Sequence, residues 1–373
     1  MELNADLHIH SRFAMATSPD LSPETIIEGC RRKGIDAVAT GDALHPIWRK
    51  MWEEYAGDDS VVVIPEAEVE DEHRVHHLIL AESLEQFADL QEAFSPYCTH
   101  LETAGRPHLY TDGETIAELV HEAGGLVGPA HAFTPWTSLF AAHKTPSDCY
   151  GEEPFDFCEL GLSADSSYGA GIPEFQNVPF LSNSDAHSQH PEKLGREFTR
   201  LSVKEKTPAA VLSAIQQSAV TLNAGFFPEE GKYNRTACIR CYVQFSYEEA
   251  EKYHWKCPHC GGRIKLGVRE RALSISTVPE DERTPRPPYL KIIPLGDVIS
   301  RVLNVSSPAT KKARTLYNAF IDRFERETDV LLTVSEAELS EVSEGVSHAV
   351  IAMRKGDVKL HPGGGGQYGW FEF

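Results

Sequence analysis

Short β-branched runs alternate with helical patterns over the first 225 residues. Ala5 to Ile9 reads as a strand. Ser22-Pro23-Glu24 opens a helix with Ser22 as N-cap and Pro23 at N1, and Thr25 to Lys33 continues it to a stop at Gly34. Ile35 to Ala39, Val61 to Pro65 and Val75 to Leu80 read as further strands. Thr111-Asp112-Gly113-Glu114 caps a helix that ends near Ala123-Gly124-Gly125. Strands follow at Leu126 to Pro129, Phe155 to Leu160 and Val178 to Leu181. Thr207-Pro208 opens a helix to Gln217, and Ala219 to Leu222 is the last strand of the series. Repeated β–α alternation predicts an α/β domain with a parallel sheet, open or closed into a barrel.

The pattern changes after residue 225. Residues 226–237 read as a linker, and Thr277 to Pro288, rich in proline and charge, as a second linker or an extended strap. Ser307-Pro308 caps a helix from Ala309 to about Arg326. Its Ala313, Leu316, Tyr317, Phe320, Ile321 and Phe324 form one apolar stripe, expected in the core, while Lys311, Lys312 and Arg314 read as a solvated face. Pro362 to Gly369, with four successive glycines and Tyr368, reads as a flexible terminus whose bare backbone could also approach a phosphate or an extruded base.

With 373 residues, 41% apolar and 24% charged, the chain is long enough for two domains and ample core. No apolar run approaches the ~18 residues of a membrane helix. Met1 to Ala5 has neither a basic region nor an apolar segment, so no secretory signal is expected and the cytoplasm is the expected location. The net charge of −21 is uneven. Residues 1–235 hold 16 Lys and Arg against 38 Asp and Glu, whereas residues 236–324 hold 15 against 9. An acidic body suits a multi-metal site, and a mildly basic attachment suits a polyanion.

The eight cysteines divide in two. Cys30, Cys98, Cys149 and Cys158 have no ligand spacing and read as small buried hydrophobes. Cys238, Cys241, Cys257 and Cys260 form C-x2-C-x15-C-x2-C, the pattern of a structural zinc closed by four thiolates. Aromatics between the pairs (Tyr242, Phe245, Tyr247, Tyr253, Trp255) fill the small core of such a module or stack on bases. Arg240, Arg263 and Lys265 nearby are candidate phosphate contacts, as is Tyr368 in the tail for nucleic acid.

Metal-type donors gather at strand ends in the first domain. His8 and His10, Asp42, Glu68, His77, His131, and Asp185 with His187 each lie at or just past a predicted strand. That rim is where a βα barrel assembles its active site. Mixed imidazole and carboxylate suits zinc, manganese or iron, and Glu68 is placed to bridge two cations.

His8-Ile9-His10, Thr40-Gly41-Asp42, Glu66-Ala67-Glu68, Gly128-Pro129-Ala130-His131 and Asp185-Ala186-His187 resemble the successive motifs of the PHP (polymerase and histidinol phosphatase) superfamily over residues 1–225. The resemblance implies a distorted seven-stranded βα barrel and a trinuclear centre. In it His8, His10, Glu68 and Asp185 serve one metal, and Glu68, His77 and His131 a second. His10 or a bridging water, with Asp42 and His187, completes the third. The superfamily often has T-D-H where Thr40-Gly41-Asp42 stands, so an aspartate would replace a histidine ligand. His76 and His77 point to opposite faces of one strand, so only one enters the site, and His77 fits the superfamily pattern.

The order of parts resembles the endonuclease Q family across essentially the whole chain: barrel at 1–225, four-cysteine module at 226–276, and a C-terminal α+β segment at 277–373. The resemblance implies a metal-dependent DNA endonuclease that cuts 5′ of deaminated bases (uracil, hypoxanthine, xanthine) or abasic sites and leaves 3′-OH and 5′-phosphate ends. Asp185, Glu68 and His10 would carry catalysis, and Arg12 would contact the phosphate. Two or three divalent ions are expected in the barrel (zinc, with manganese or magnesium as alternatives), besides one structural zinc. The implied partner is damaged DNA, with no membrane; a repair or replication-clamp partner is not readable from these residues. A small-molecule phosphatase of the histidinol-phosphatase kind is the alternative. A DNA-binding module with a degenerate barrel is a third reading.

Overall fold

The structure, a computed structural model, describes residues 1–55, 57 and 60–372. Strand β1 (Glu2–Asp6) runs parallel to β2 (Ala37–Ala39), which is parallel to β3 (Val62–Ile64). The chain passes through Pro65 into β4 (Glu66–Glu70), which pairs antiparallel with β5 (His76–Leu80), and β5 with β6 (Leu126–Pro129). Two backbone bonds, Asp156 N to Val127 O (2.8 Å) and Ala132 N to Glu159 O (2.9 Å), join β6 to β7 (Cys158–Glu159). Strand β7 is parallel to β8 (Phe180–Leu181). Antiparallel β9 (Phe198–Ser202) then lies between β1 and β10 (Val220–Gly225). Asn223 on β10 donates to Phe180 O at 3.2 Å, so the strands return on themselves as a distorted barrel.

The expectation of a parallel sheet holds for β1–β2–β3 and β7–β8 and is corrected elsewhere: β4–β5–β6 and β9 are antiparallel. Strand β9 has no counterpart in the sequence reading, because Phe-Thr-Arg-Leu-Ser has only two strongly apolar positions. Alternation fixes which face each residue takes. On β5, Leu78 and Leu80 join the cluster of Leu3, Ala5, Leu7, Ala37, Ile64 and Leu181 inside the barrel. Ile79, with Ala67 and Val69 of β4, joins the outer cluster with Phe87, Ile116 and Val120.

The helix Pro23–Lys33 has the expected ends: Ser22 caps it and Gly34, at φ 88°, closes it in the left-handed region. Its buried face meets the C-terminal helices Leu295–Val302, Lys311–Phe324 and Glu344–Lys355 in one continuous core through Ile26, Ile27, Val298, Phe320 and Val350. Within the stripe foreseen on Lys311–Phe324, Ala313, Tyr317, Phe320 and Ile321 are buried. A buried ion pair crosses this boundary, Lys33 Nζ to Glu327 Oε1 at 2.7 Å.

The segment 277–288 is a strap rather than a linker. Arg286 donates to Val178 O and Phe175 O, and the strap leads into β13 (Tyr289–Lys291), parallel to β10 at the sheet edge. In the four-cysteine module β11 (Ala237–Cys238) pairs with β12 (Ile264–Lys265), and Phe245, Ala250 and Ile264 are buried. The glycine-rich tail is also corrected: it is packed. It links β14 (Lys359–His361) to β15 (Trp370–Glu372), and Gly363 and Gly366 donate to Glu229 O and Lys232 O. Gly365, at φ 64°, lies so close to the module that a Cβ would meet Cys238 O at 2.5 Å.

Candidate metal centre

Strand β1 ends at Asp6, earlier than the pattern suggests, because the Asp6 carboxylate accepts the Ser184 and Gly195 amides and fixes that end. His8 and His10 follow in an extended segment held by His10 N to Ala186 O at 2.9 Å. Both imidazoles are buried and on one side. His8 Nδ1 lies 2.9 Å from Glu159 Oε2, and His10 Nδ1 lies 3.1 Å from Asp42 Oδ1. Each ring therefore has a carboxylate behind it and Nε2 in front, the arrangement that orients metal-bound histidine.

In front of them stands Glu68. Its Oε1 is 2.7 Å from His76 Nδ1, 2.9 Å from His131 Nε2 and 3.8 Å from His8 Nε2. Its Oε2 is 3.0 Å from Arg106 Nη1 and 3.5 Å from His10 Nε2. Asp185 Oδ1 approaches His10 Nε2 at 3.2 Å. Two donor groups result, His8–His10–Asp185 and Glu68–His76–His131, each with its ligand atoms within 4.8 Å of one another. Glu68 touches both.

The donors fit divalent cations. His8 Nε2, His10 Nε2 and Asp185 Oδ1 are buried, close together and without a hydrogen bond. Buried polar atoms rarely stay so unless something else binds them. The electrostatics agree. Burial alone would lower His8 and His10, yet Glu159 holds His8 well above its usual range, and Asp42 and Asp185 raise His10 to about 10. Burial would raise Glu68, but His76, His131 and His8 outweigh it and hold the carboxyl well down. Carboxylates thus concentrate negative charge at this point. Asp42, His131 and Asp185 take φ of 46°, 31° and 47°, so residues of the centre sit in strained backbone at strand ends. Gly161 accommodates this turn, since a Cβ there would meet His131 Cβ at 2.5 Å.

Two expected ligands are placed differently. His77 lies outside the cluster: Glu68 and His76 share the inner face of the β4–β5 pair, while His77 shares the outer face with Val69 and Asp71. His76 takes the position foreseen for it. Asp42 stands behind His10, its Oδ2 accepting from Ser11 N (2.7 Å), so it supports the imidazole instead of joining either donor group. His187 packs edge-on to His10 with centroids 4.5 Å apart at the more open side of the centre. Arg12 is half-buried with its guanidinium 6.0 Å above the Trp48 ring, and its Nε makes no hydrogen bond. Sequence reasoning missed Glu159 and Arg106. Glu159 carries no motif, yet it also accepts His131 N (2.7 Å) and Asn183 Nδ2 (2.9 Å).

In the cysteine module the sulfurs approach in pairs, Cys238–Cys260 at 3.5 Å and Cys241–Cys257 at 3.6 Å. Arg240 donates to Cys260 O, Arg263 is exposed, and Lys265 Nζ lies 3.4 Å above the Trp136 ring and 4.5 Å from that of Tyr233. Lys232 Nζ continues the row, 5.7 Å from Tyr233 and 5.4 Å from Tyr368. Trp136 follows His131 by five residues and is 60% exposed. An alternating cationic and aromatic surface thus runs from the barrel loop to the tail. Trp136, Lys232 and Tyr233 were not singled out from sequence because the row exists only across four segments.

The solved lesion-specific endonuclease PfuEndoQ of Pyrococcus furiosus is 41% identical and superposes with a TM-score of 0.96 over 100% of this chain and 96% of that one. The chain belongs to the endonuclease Q family. A second endonuclease Q structure, in complex with a 27-mer duplex substrate carrying an abasic lesion at the active site, is 40% identical with a TM-score of 0.91, covering 100% and 97%. The model of the MJ0043 C-terminal domain matches residues 294–357. Uncharacterised protein MJ0043 of Methanocaldococcus jannaschii is 42% identical over 248 residues, 65% of this chain but only 31% of that protein's length. Uncharacterised YqxK of Bacillus subtilis is 29% identical over 99% of this chain and 98% of its own length. The family assignment agrees with the fold: a distorted α/β barrel, a four-cysteine cluster able to hold zinc, and a helical C-terminal part. No helix among the described residues is long and apolar enough to cross a membrane.

Proposed function

We propose that this protein is a metal-dependent DNA endonuclease of repair, hydrolysing the phosphodiester 5′ of a deaminated base (uracil, hypoxanthine or xanthine) or an abasic site. The observation that carries the reading is the full-length likeness to an endonuclease Q that holds an abasic lesion in a duplex at its active site. Residues 1–225 supply the chemistry; the cysteine module at 226–276 and the segment 277–373 bind the DNA.

His8, His10, Glu68, His76, His131 and Asp185 would hold two or three divalent ions, zinc or else manganese or magnesium, with His187 beside them. Such ions supply Lewis-acid neutralisation of the phosphate and activation of water. The chain's own part is to hold geometry and charge. Glu159 and Asp42 fix the tautomers of His8 and His10, and Glu68 joins the two donor groups. Arg106 adds a fixed positive charge, and Arg12, two residues after His10, would take the scissile phosphate. Asp185, Glu68 and His10 form the catalytic core. A deaminated base pairs weakly, so extrusion costs less, and Trp136, Tyr233 and Tyr368 offer rings to stack on it. Arg263, Lys265 and Lys232 reach the backbone. The four cysteines bind a structural zinc. A cytoplasmic location is part of this reading. The phosphatase alternative leaves the module and the lysine–aromatic row without a role.

The test uses three substrates: a labelled duplex with one uracil, hypoxanthine or abasic site, the undamaged duplex, and a phosphomonoester. A nick confined to the damaged strand, 5′ of the lesion, is expected. Turnover of the monoester alone overturns the reading. Asp185→Asn should lower cleavage at least about a hundredfold, the loss of several kcal/mol of transition-state stabilisation, while gel-shift affinity stays within about twofold.

A further inference from the structure

A second set of metal-type donors is buried on the face of β5 opposite His76. Asp71 begins the turn after β4, His77 lies in β5, and Cys149 comes from the short helix Ser147–Tyr150. One ligand atom from each lies within 4.8 Å of the other two, and all three residues are buried. The catalytic reading uses none of them.

Asp71 and His77 are each held by a neighbour that leaves one atom for the cluster. Asp71 Oδ1 accepts Val75 N (2.7 Å) and His73 N (2.9 Å), which frees Oδ2 toward His77 Nε2 at 3.2 Å. His77 Nδ1 lies 2.9 Å from the Tyr150 hydroxyl, an outer partner of the kind that fixes a metal-bound imidazole. Tetrahedral bonds of about 2.0–2.1 Å to nitrogen and oxygen separate neighbouring donors by roughly 3.3 Å, close to what Asp71 and His77 show. In the four-cysteine module the sulfur pairs at 3.5 and 3.6 Å stand in the same relation to zinc–thiolate bonds. Gly113 makes the approach possible: a Cβ there would meet Cys149 Sγ at 2.8 Å and His77 Cε1 at 2.9 Å.

We propose that Asp71, His77 and Cys149 hold a structural cation of the zinc class, apart from the catalytic centre. Mixed nitrogen, oxygen and thiolate donors select zinc over the hard cations. Burial keeps the free thiol protonated, so binding forms the metal–sulfur bond and releases the thiol proton to solvent. The cation would clamp the β4–β5 hairpin to the helix Ser147–Tyr150. Because β5 carries His76 on its other face, the same cation braces the catalytic strand from behind.

Anomalous diffraction at the zinc edge, on crystals of the full chain purified without chelator, tests this directly. Besides any peaks at the catalytic centre, the expected map has one peak among the four cysteines, an internal control, and another among Asp71 Oδ2, His77 Nε2 and Cys149 Sγ. The first peak without the second overturns the proposal. Elemental analysis adds an independent readout: Cys149→Ser should contain one zinc per chain fewer than the wild type, as Cys241→Ser should. Unchanged zinc in Cys149→Ser also overturns it. Should Cys149→Ser fail to fold, the wild-type map still decides.

Discussion

Glu68 touches four histidines, His8, His10, His76 and His131, at 2.7 to 3.8 Å, and so does more than any other motif member to shape the centre. Away from it, His121 shows how a single imidazole ties pH to stability. Asp156 and Glu153 bond both its ring nitrogens and raise it from 6.5 to about 9. A raised folded-state value means that its contribution is complete below pH 6.5 and is lost as pH rises through about 9. His121→Gln should therefore cost about 1 kcal/mol at pH 6, a figure discounted for partial exposure, and little at pH 9.5. Thermal melts of both proteins at the two pH values check this; an equal loss at both would refute the link. At this scale the sequence was informative where spacing carried the signal, as in His8-Ile9-His10, and ambiguous at His76-His77. Adjacent residues on a strand differ only in face, and the face is set by pairing with β4, a partner that local pattern does not display. Glu159 was silent for a similar reason: it meets His8 only after the barrel closes.

At the scale of elements, the boundary between barrel and C-terminal helices is fastened by Lys33. Its Nζ lies 2.7 Å from Glu327 Oε1 and 2.6 Å from Pro191 O, with both charged side chains buried. Glu327 also accepts Leu295 N and the Tyr317 hydroxyl. Removing one partner of a buried pair leaves the other charge unsolvated, so Lys33→Met should cost about 3–5 kcal/mol. Lys33→Met combined with Glu327→Gln removes the stranded charge yet keeps an acceptor, and should recover a large part of that loss. Urea unfolding of the single and double variants measures the difference; a double variant no better than the single one would argue against charge burial as the cause. Neither residue was visible as a pair from sequence, being 294 positions apart. Helix ends were legible because Ser22, Pro23 and Gly34 act locally. Strand direction and the packed glycine tail were not, since both depend on what lies across the fold.

For the whole molecule, the difficulty is how a chain of net charge −21 approaches a polyanion. The acidic excess lies in residues 1–235, where Asp42, Glu68 and Glu159 are buried at the centre while others, such as Glu82, Glu102 and Glu152, face solvent. The row Trp136–Lys265–Tyr233–Lys232–Tyr368 offers positive charge beside exposed rings, and rings bind bases regardless of net charge. Few cationic contacts against a repulsive body predict binding that falls with salt, though less steeply than for a basic protein. Each phosphate contact contributes a slope of about −0.9 in log K against log salt. Lys265→Ala should therefore weaken DNA binding and reduce the magnitude of that slope by about 1, while Trp136→Ala should weaken binding with the slope unchanged. Titrations of both variants across 50 to 200 mM salt (roughly the range over which such slopes are read) separate the two effects. Identical slopes for Lys265→Ala and the wild type would remove Lys265 from the backbone path and leave its place over Trp136 a matter of packing alone.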